Sequence, residues 1–590
     1  PTDLTIRVES PDYHELAVTR TNVLDGGVTN LLVRLIVRSE RGSPERGLIQ
    51  WTPYPLVDST AAECAGARLR VTTPAAYPAG LPIPVVAWVE DDEGNARRAN
   101  GRVVAPGFES DSVQVRRGVG SGFLPPASAG AEVAYEARLH SLADPKTIAI
   151  DAVTTWRPVS GELTASTEWP ARSRIRIDAD LTVPAGTTLT VGAGSVIRLD
   201  PLVNITNSGR MVIEGTADEP VVWTAEGVVG PEQPEGAWGG FILRGAAAEL
   251  TANHAIFAGG GGREDFDFSP GASHRSEQAV FLLHSGARAA FTNCAILNTA
   301  GQVGNGYHSD LTLDHCLVQR AITSGEYVGG TIVVQRSALI EFPADNGVVT
   351  PEIADADYDG IYFTEGTHIL RDSLIGFAMD DAVDSGSGGS GTVLVTNCWL
   401  ESALHEAQAW SGEGRTTWTY DTVALNNGQG IECGWSTGDG SPDCFAERLL
   451  STANAVGARF GDNYDWSYNG FLRLTNSLLL YNARDIFLKT WNAVGSGWQS
   501  ASWEDRVDQV DFQNNRLSTV WEQQPGNRLW DAAVDGVLIA HWMSTPAEAP
   551  VGIGLALWTN ALSMSDLLAG VPIRLSSFTT HPVAVSCQFE

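Results

Sequence analysis

A four-residue phrase, polar then small then two apolar, returns about every 22 to 29 residues through the middle of the chain. It reads Asn293-Cys294-Ala295-Ile296, His315-Cys316-Leu317-Val318, Asp372-Ser373-Leu374-Ile375, Asn397-Cys398-Trp399-Leu400, Asp421-Thr422-Val423-Ala424 and Asn476-Ser477-Leu478-Leu479. About eight residues later a second run alternates small or apolar with polar positions, as in Asp381-Ala382-Val383-Asp384, Gly430-Ile431-Glu432-Cys433 and Asp485-Ile486-Phe487-Leu488. Alternation of period two marks strands, and a fixed repeat in a Gly-rich sequence marks a solenoid. The pattern predicts a parallel β-helix of two or three short strands per coil. Coils stacked at the strand spacing of about 4.8 Å make neighbours of equivalent residues in successive repeats.

The ends read differently. Residues 1–125 show short strands broken by turns, among them Leu4 to Val8, Asn30 to Val37, Val85 to Val89 and Val113 to Val115, which predict an immunoglobulin-like β-sandwich serving as a spacer. Residues 126–154 read as a linker with connecting strands, 155–515 as the β-helix, and 516–590 as a β-rich cap or module built on Gly552 to Leu557, Val571 to Leu575 and Val583 to Phe589. A solenoid needs its apolar ends covered, which makes capping the default role for that last segment.

From Gly161-Glu162-Leu163 through the run Leu181 to Val191 to Glu214-Gly215-Thr216 and Pro220 to Thr224, the text closely resembles the opening coils of secreted bacterial right-handed β-helix proteins. The resemblance implies an all-β fold with a right-handed parallel β-helix, in an extracellular or cell-surface setting. The chain starts at Pro1 and shows no signal peptide, which fits a trimmed, exported protein; the strand-like end after Val583 fits a longer cell-surface parent.

A formal charge of −32, with Lys146 and Lys489 the only lysines among 38 basic residues, disfavours nucleic acid and anionic membranes as partners. No apolar run approaches the roughly 20 residues of a transmembrane helix. Seven cysteines are too few for a disulfide scaffold. Cys294, Cys316 and Cys398 fill the small position of the repeat and read as core, whereas Cys433 and Cys444 flank a short loop and can be bridged. The run Gly259 to Gly262 lacks the Lys-Ser/Thr of a phosphate loop.

Aligning the coils on the phrase places Ile361, Ala382, Ala407, Ile431 and Ala458 in one inward apolar column. The flanking columns then gather Asp359, Asp380, Asp381, His405, Glu406, Gln408, Glu432 and Arg459 within about five coils. Carboxylates on neighbouring coils push their pKa values apart, leaving one as acid and another as base, which glycosidic hydrolysis requires. The catalytic candidates are Asp359, Asp380, Asp381, His405 and Glu406. Gln408, Trp410, Glu432, Trp435 and Arg459 are the substrate-binding candidates, and Trp418, Trp466, Trp491, Trp498 and Trp503 add aromatic faces suited to sugar rings. Glu432 and Arg459 read equally well as a stacked ion pair. The same acids also fit calcium: Asp355, Asp357 and Asp359 alternate, and Asp384 follows Asp381 before a Gly/Ser loop.

The succession Asp357-Tyr358-Asp359-Gly360, Asp380-Asp381 and His405 on consecutive coils resembles the polygalacturonase-type glycoside hydrolases, whose motifs run Asn-Thr-Asp-Gly, Asp-Asp and Gly-His-Gly. That resemblance implies that Asp359 and the Asp380/Asp381 pair supply acid and base, that His405 tunes them, and that the anomeric centre inverts, with carboxylates about 6.5–9.5 Å apart. Asp357 replaces the family's Asn, and no Arg-x-Lys follows Arg459. A secreted glycoside hydrolase acting on a polysaccharide, with no cofactor required and calcium as a structural ion, is the first expectation. A calcium-assisted polysaccharide lyase or epimerase is the second, and a non-catalytic glycan-binding or adhesion protein the third.

Overall fold

The computed structural model describes residues 64–517 apart from gaps, the longer ones being 93–98, 104–112, 263–274, 344–356, 435–441, 462–469 and 501–505; beyond that span it describes only 2–10, 13–23, 35–36, 47–48, 526–529 and 584–589. Between Thr167 and Gln513 the chain winds into stacked coils of three short strands. The first face is a single parallel ladder of 13 strands from Thr167–Trp169 to Val510–Gln513. The long strand Arg174–Val183 pairs along its first half with Val196–Leu199, from which the second face continues through Val221–Thr224 and Ala255–Ala258, and along its second half with Ile205–Asn207, from which the third continues through Phe241–Leu243 and Ala279–Leu283. The chain is thus an all-β parallel β-helix, and no helix among the described residues is long and apolar enough to cross a membrane.

The repeated phrase is the bend from the first face to the second. Its polar residue takes a left-handed conformation, with φ of 52° at Asn293, 54° at His315, 52° at Asp372 and 51° at Asn397, which Asn and Asp tolerate better than most side chains. The small residue after it turns inside. Ser337 Oγ accepts the Cys316 N–H at 3.0 Å, Ser373 Oγ that of Ser337 at 3.1 Å, and Ser477 Oγ that of Leu449 at 3.0 Å, so the stack satisfies amides that the bend would strand. Cys294, Cys316 and Cys398 are buried in the same stack as free thiols, as expected. Cys433 and Cys444 are also buried and free, so the bridge expected between them is not formed.

A second stack, not foreseen from sequence, holds the bend between the second and third faces. Asn427 Oδ1 accepts the Ala403 N–H at 2.9 Å, Asn454 Oδ1 that of Asn427 at 2.7 Å, and Asn482 Oδ1 that of Asn454 at 2.9 Å. Asn454 Nδ2 also donates to Ala424 O at 3.0 Å. Asn454→Ala strands both groups and is expected to lower stability by about 1–3 kcal/mol. Asn476→Gly, at a left-handed turn position, should change it by less than about 1 kcal/mol; urea melts of the two variants compare them directly.

Residues 64–152 form a separate module on the flank of the solenoid. Arg68–Thr72, Ile83–Glu90 and Val119–Leu124 make one sheet; the hairpin Glu132–Leu139 and Leu142–Asp151 makes another with Ala76–Pro78. Residues 126–154, expected as a linker with connecting strands, thus supply the longest strands of the second sheet. The module's core continues into Leu317, Ala338, Ile340, Leu374, Phe377 and Trp399 on the outer side of the second face. The turn at Arg116 and Arg117 locks it down. Arg117 grips Glu401 with bonds of 2.7 and 2.6 Å, Trp399 Nε1 donates to the same carboxylate at 2.7 Å, and Arg116 meets Glu341 at 2.5 Å.

At the same boundary Trp88 stacks on His315 with ring centroids 5.1 Å apart. Burial, helped by Arg70 and Arg336 and opposed by Asp314, lowers the His315 pKa to about 4. An unfolded chain binds this proton below about pH 6.5 while the native one refuses it down to about 4, so the contribution present at neutral pH is lost on acidification across that window, by up to about 3 kcal/mol. His315→Gln is expected to flatten the fall in melting temperature between pH 6.5 and 4.

Thr2–Ser10 pairs antiparallel with Tyr13–Val23 and also with Ala584–Phe589, so the last strand lies beside the first. Arg516–Leu517 and Arg528–Leu529 extend the solenoid ladder at its far end. The expected strands at 552–557 and 571–575 lie outside the described residues.

Candidate functional site

The acids gather where the second face bends into the third. Ile361 pairs with Val383, while Ala382 bonds to the coil of Ala407 through the Glu406 carbonyl at 2.9 Å, so the column expected from sequence is out of register by one residue in two coils. The reason is local. Ala382 and Val383 both face the core, one after the other, and reset the strand alternation at this bend. The first inward position must be small: a Cβ on Gly430 would lie 2.1 Å from Ser451 Oγ, and one on Gly360 2.3 Å from Ala382 O. The true repeat is a triplet, Asp359-Gly360-Ile361, Asp381-Ala382-Val383, Glu406-Ala407-Gln408 and Gln429-Gly430-Ile431.

The leading residues of these triplets form a carboxylate ladder. Asp359 Oδ1 accepts the Asp381 N–H at 3.2 Å, and Asp381 Oδ1 accepts the Glu406 N–H at 2.5 Å. Asp380 Oδ2 accepts the Asp357 N–H at 2.8 Å. His405 Nδ1 lies 2.6 Å from Glu406 Oε2, 3.5 Å from Asp380 and 3.8 Å from Asp381. Arg459 meets the other Glu406 oxygen at 2.8 Å and pairs with Glu432.

Five expected catalytic residues, Asp359, Asp380, Asp381, His405 and Glu406, therefore converge, and Glu432 and Arg459 join them as the ion pair. Two substrate-binding candidates do not. Gln408 is turned into the solenoid, where its Oε1 accepts from Thr419 at 2.7 Å, and Trp410 is a core side chain, 0 % exposed. Both fall on inward strand positions once the alternation is reset. Trp418 lies on the first face, stacked on Phe445 at 4.4 Å, away from the acids. Asp355, Trp435, Trp466 and Trp503 lie outside the described residues, as do the side chains of Trp491 and Trp498.

Burial governs the electrostatics. Asp359 is 2 % exposed, Asp380 4 %, Asp381 6 % and Glu406 1 %. Burial, reinforced by Asp384, Asp380 and Asp357, raises the Asp359 pKa well above the usual carboxylate range; burial and the neighbouring Glu406 do the same for Asp381. Glu406 is opposite. Burial pushes it up, but His405 and Arg459 outweigh that and hold it at about 2. Neighbouring acids are thus split into ionised and protonated partners.

A cation among these oxygens would favour their ionised form. One oxygen each from Asp359, Asp381 and Asp384 lies within 4.8 Å of the others, and so do one oxygen each from Asp380 and Asp381 and a ring nitrogen of His405. Calcium takes oxygen ligands at about 2.3–2.6 Å, so such oxygens fit around one ion. Asp384, expected as a ligand, belongs to the first of these groups. Asp357 belongs to neither group; its backbone N–H is what meets Asp380.

Residues 161–262, the opening coils, match the family model for a pectate-lyase-like β-helix domain. Among solved structures the chain is similar to pectate lyase Pel9A, at 11 % identity over 66 % of this chain and 82 % of that one with a TM-score of 0.25. It is similar too to a double mutant of the periplasmic alginate epimerase AlgG, at 10 % identity over 62 % of this chain and 80 % of that one with a TM-score of 0.23. No curated protein is significantly similar to it in sequence.

Proposed function

We propose that this protein is a polysaccharide-active enzyme that cleaves a uronate-containing glycan by cation-assisted β-elimination. The carrying observation is the close set of carboxylate oxygens from Asp359, Asp381 and Asp384, within 4.8 Å of one another. That spacing suits ligands of one ion. The pectate-lyase-like description of the matched family model points the same way.

In this reading Asp359, Asp381 and Asp384, with Asp380 beside them, would hold calcium, and a bound ion would supply positive charge against the uronate carboxylate and so make the C5 proton more acidic. His405 takes that proton. Its Nδ1–H is engaged by Glu406 at 2.6 Å, so Nε2 is the accepting nitrogen. The C5–H electron pair becomes the C4=C5 double bond, the bond from C4 to the glycosidic oxygen breaks, and that oxygen takes a proton from solvent water and leaves as a hydroxyl, the hydroxide left behind being neutralised by the proton His405 releases. Arg459 keeps Glu406 ionised and thereby fixes the imidazole; fully buried between Glu406 and Glu432, it positions rather than touches substrate.

Digestion of pectate and alginate by the full chain, with calcium and then with a chelator, is the test. Growth of the ultraviolet band of an unsaturated uronate, lost on chelation, is the expected result. New reducing ends without that band would select hydrolysis, and glycan binding without any product would select the adhesion reading.

A further inference from the structure

One ladder on the third face runs straight through the acid cluster, one residue per coil. Asn305, Glu326 and Tyr362 precede Asp384 on it, and Ala409, Glu432 and Arg459 follow. Their strand neighbours Tyr327, Phe363, Val383 and Trp410 fill the solenoid core, so strand alternation turns this ladder outward. A face open to a long ligand leaves such a ladder exposed. The first face does so, with Thr312, Val333, Ile369 and Leu394, its outward partners on successive coils, all part exposed. On the third face the six positions flanking Asp384 are all buried, and of the seven Asp384 alone is part exposed. The opening over the acids therefore runs only from the coil of Tyr362 to that of Ala409, two steps of about 4.8 Å each.

Toward the N-terminal coils the cover is built on Arg275. Its N–H donates to Glu326 Oε1 at 2.8 Å and its carbonyl accepts from Gln302 Nε2 at 3.0 Å, so the main chain at this residue lies over the ladder. Its guanidinium then stacks on Tyr358, 4.2 Å from the ring centroid, and donates to the Tyr358 hydroxyl at 3.3 Å. Tyr358 is itself buried and directly precedes Asp359. The charge of Arg275 is met by Glu277, whose carboxylate accepts its Nε–H at 3.1 Å. Arg275 thus closes a path and is not set to read a uronate carboxylate.

We propose that the site is a pit that takes the end of a glycan chain, with Arg275 and Tyr358 as its specificity-determining wall on the side of the N-terminal coils. The inference rests on the reading of these acids as a site for a uronate glycan and adds the manner of entry. A polymer cannot lie along the axis over buried neighbours on both sides of Asp384, so it is shortened from one end.

The sizes of the fragments test this, whereas the ultraviolet band tests the chemistry, so either reading can fail alone. Digestion of long pectate and alginate by the full chain is expected to release one narrow class of small fragments from the earliest time points, with viscosity falling slowly. An early collapse of viscosity with a broad ladder of long fragments overturns the inference. Binding to the His405→Ala variant in calcium, which keeps Asp359, Asp381 and Asp384, reads entry without turnover. One protein per glycan chain, whether short or long, is expected, and several proteins on each long chain count against the pit. Arg275→Ala with Tyr358→Ala should raise the share of long fragments several-fold, and Arg275→Ala alone should do so in part, whereas Tyr358→Phe keeps the ring and the parental pattern. Fragment patterns unchanged in the first two variants remove Arg275 and Tyr358 as the wall.

Discussion

Asp381→Asn is expected to abolish stabilisation by calcium and to lower the cleavage rate by at least about 100-fold, the scale on which loss of one preorganised electrostatic group acts. Asp381 contributes an oxygen to both three-residue groups, a part that neither Asp359, Asp380 nor Asp384 plays. The amide keeps an oxygen for the Glu406 N–H, which Asp381 accepts at 2.5 Å, and the backbone of the bend should survive. Loss of calcium response and of rate together, with an unchanged melting temperature in chelator, is the signature. Calcium titration by calorimetry and the ultraviolet rate on pectate or alginate measure both; a variant that retains the parental rate removes Asp381 from the chemistry.

Arg117→Ala should have the largest effect on stability. Arg117 and Glu401 are 6 % and 1 % exposed along their side chains, and cutting the arginine leaves the Glu401 charge buried beside Trp399. Breaking such a pair costs about 3–5 kcal/mol. The double variant Arg117→Met with Glu401→Gln should recover much of that loss, because it removes both charges and keeps the bulk. Arg138→Ala is the control. Its pair with Glu136 is 60 % and 39 % exposed, and exposed pairs contribute about 0–1 kcal/mol.

The solenoid was legible because its signals are local and repeated. The left-handed bend residue, the small residue behind it and the alternating strands each leave a mark at every coil, as at Asn397-Cys398-Trp399-Leu400. Convergence of the acids was legible too, since any near-correct stacking of coils brings Asp359, Asp381 and Glu406 together. The register was not. Two adjacent inward residues, Ala382 and Val383, break the period of two, and an alanine one step early looks like the core residue itself. That slip sent Gln408 and Trp410 to the groove on paper when the chain turns them inside. The Asn427, Asn454 and Asn482 stack was missed because its members are about 27 residues apart and read singly as loop residues. The docking of the module was hidden for a related reason: Arg116 and Arg117 find Glu341 and Glu401 more than two hundred residues away, and charge pairing at that separation leaves no periodic trace.

The carboxylate ladder hands each acid's position to the peptide group of the following coil. Spacing along the body's axis is thereby set by main-chain pitch and not by side-chain choice, so a whole repeat inserted upstream of Tyr327 would lengthen the body by about 4.8 Å while leaving the distances among Asp359, Asp381 and Glu406 untouched. The length of the body and the geometry of the acid cluster can vary independently in such an architecture.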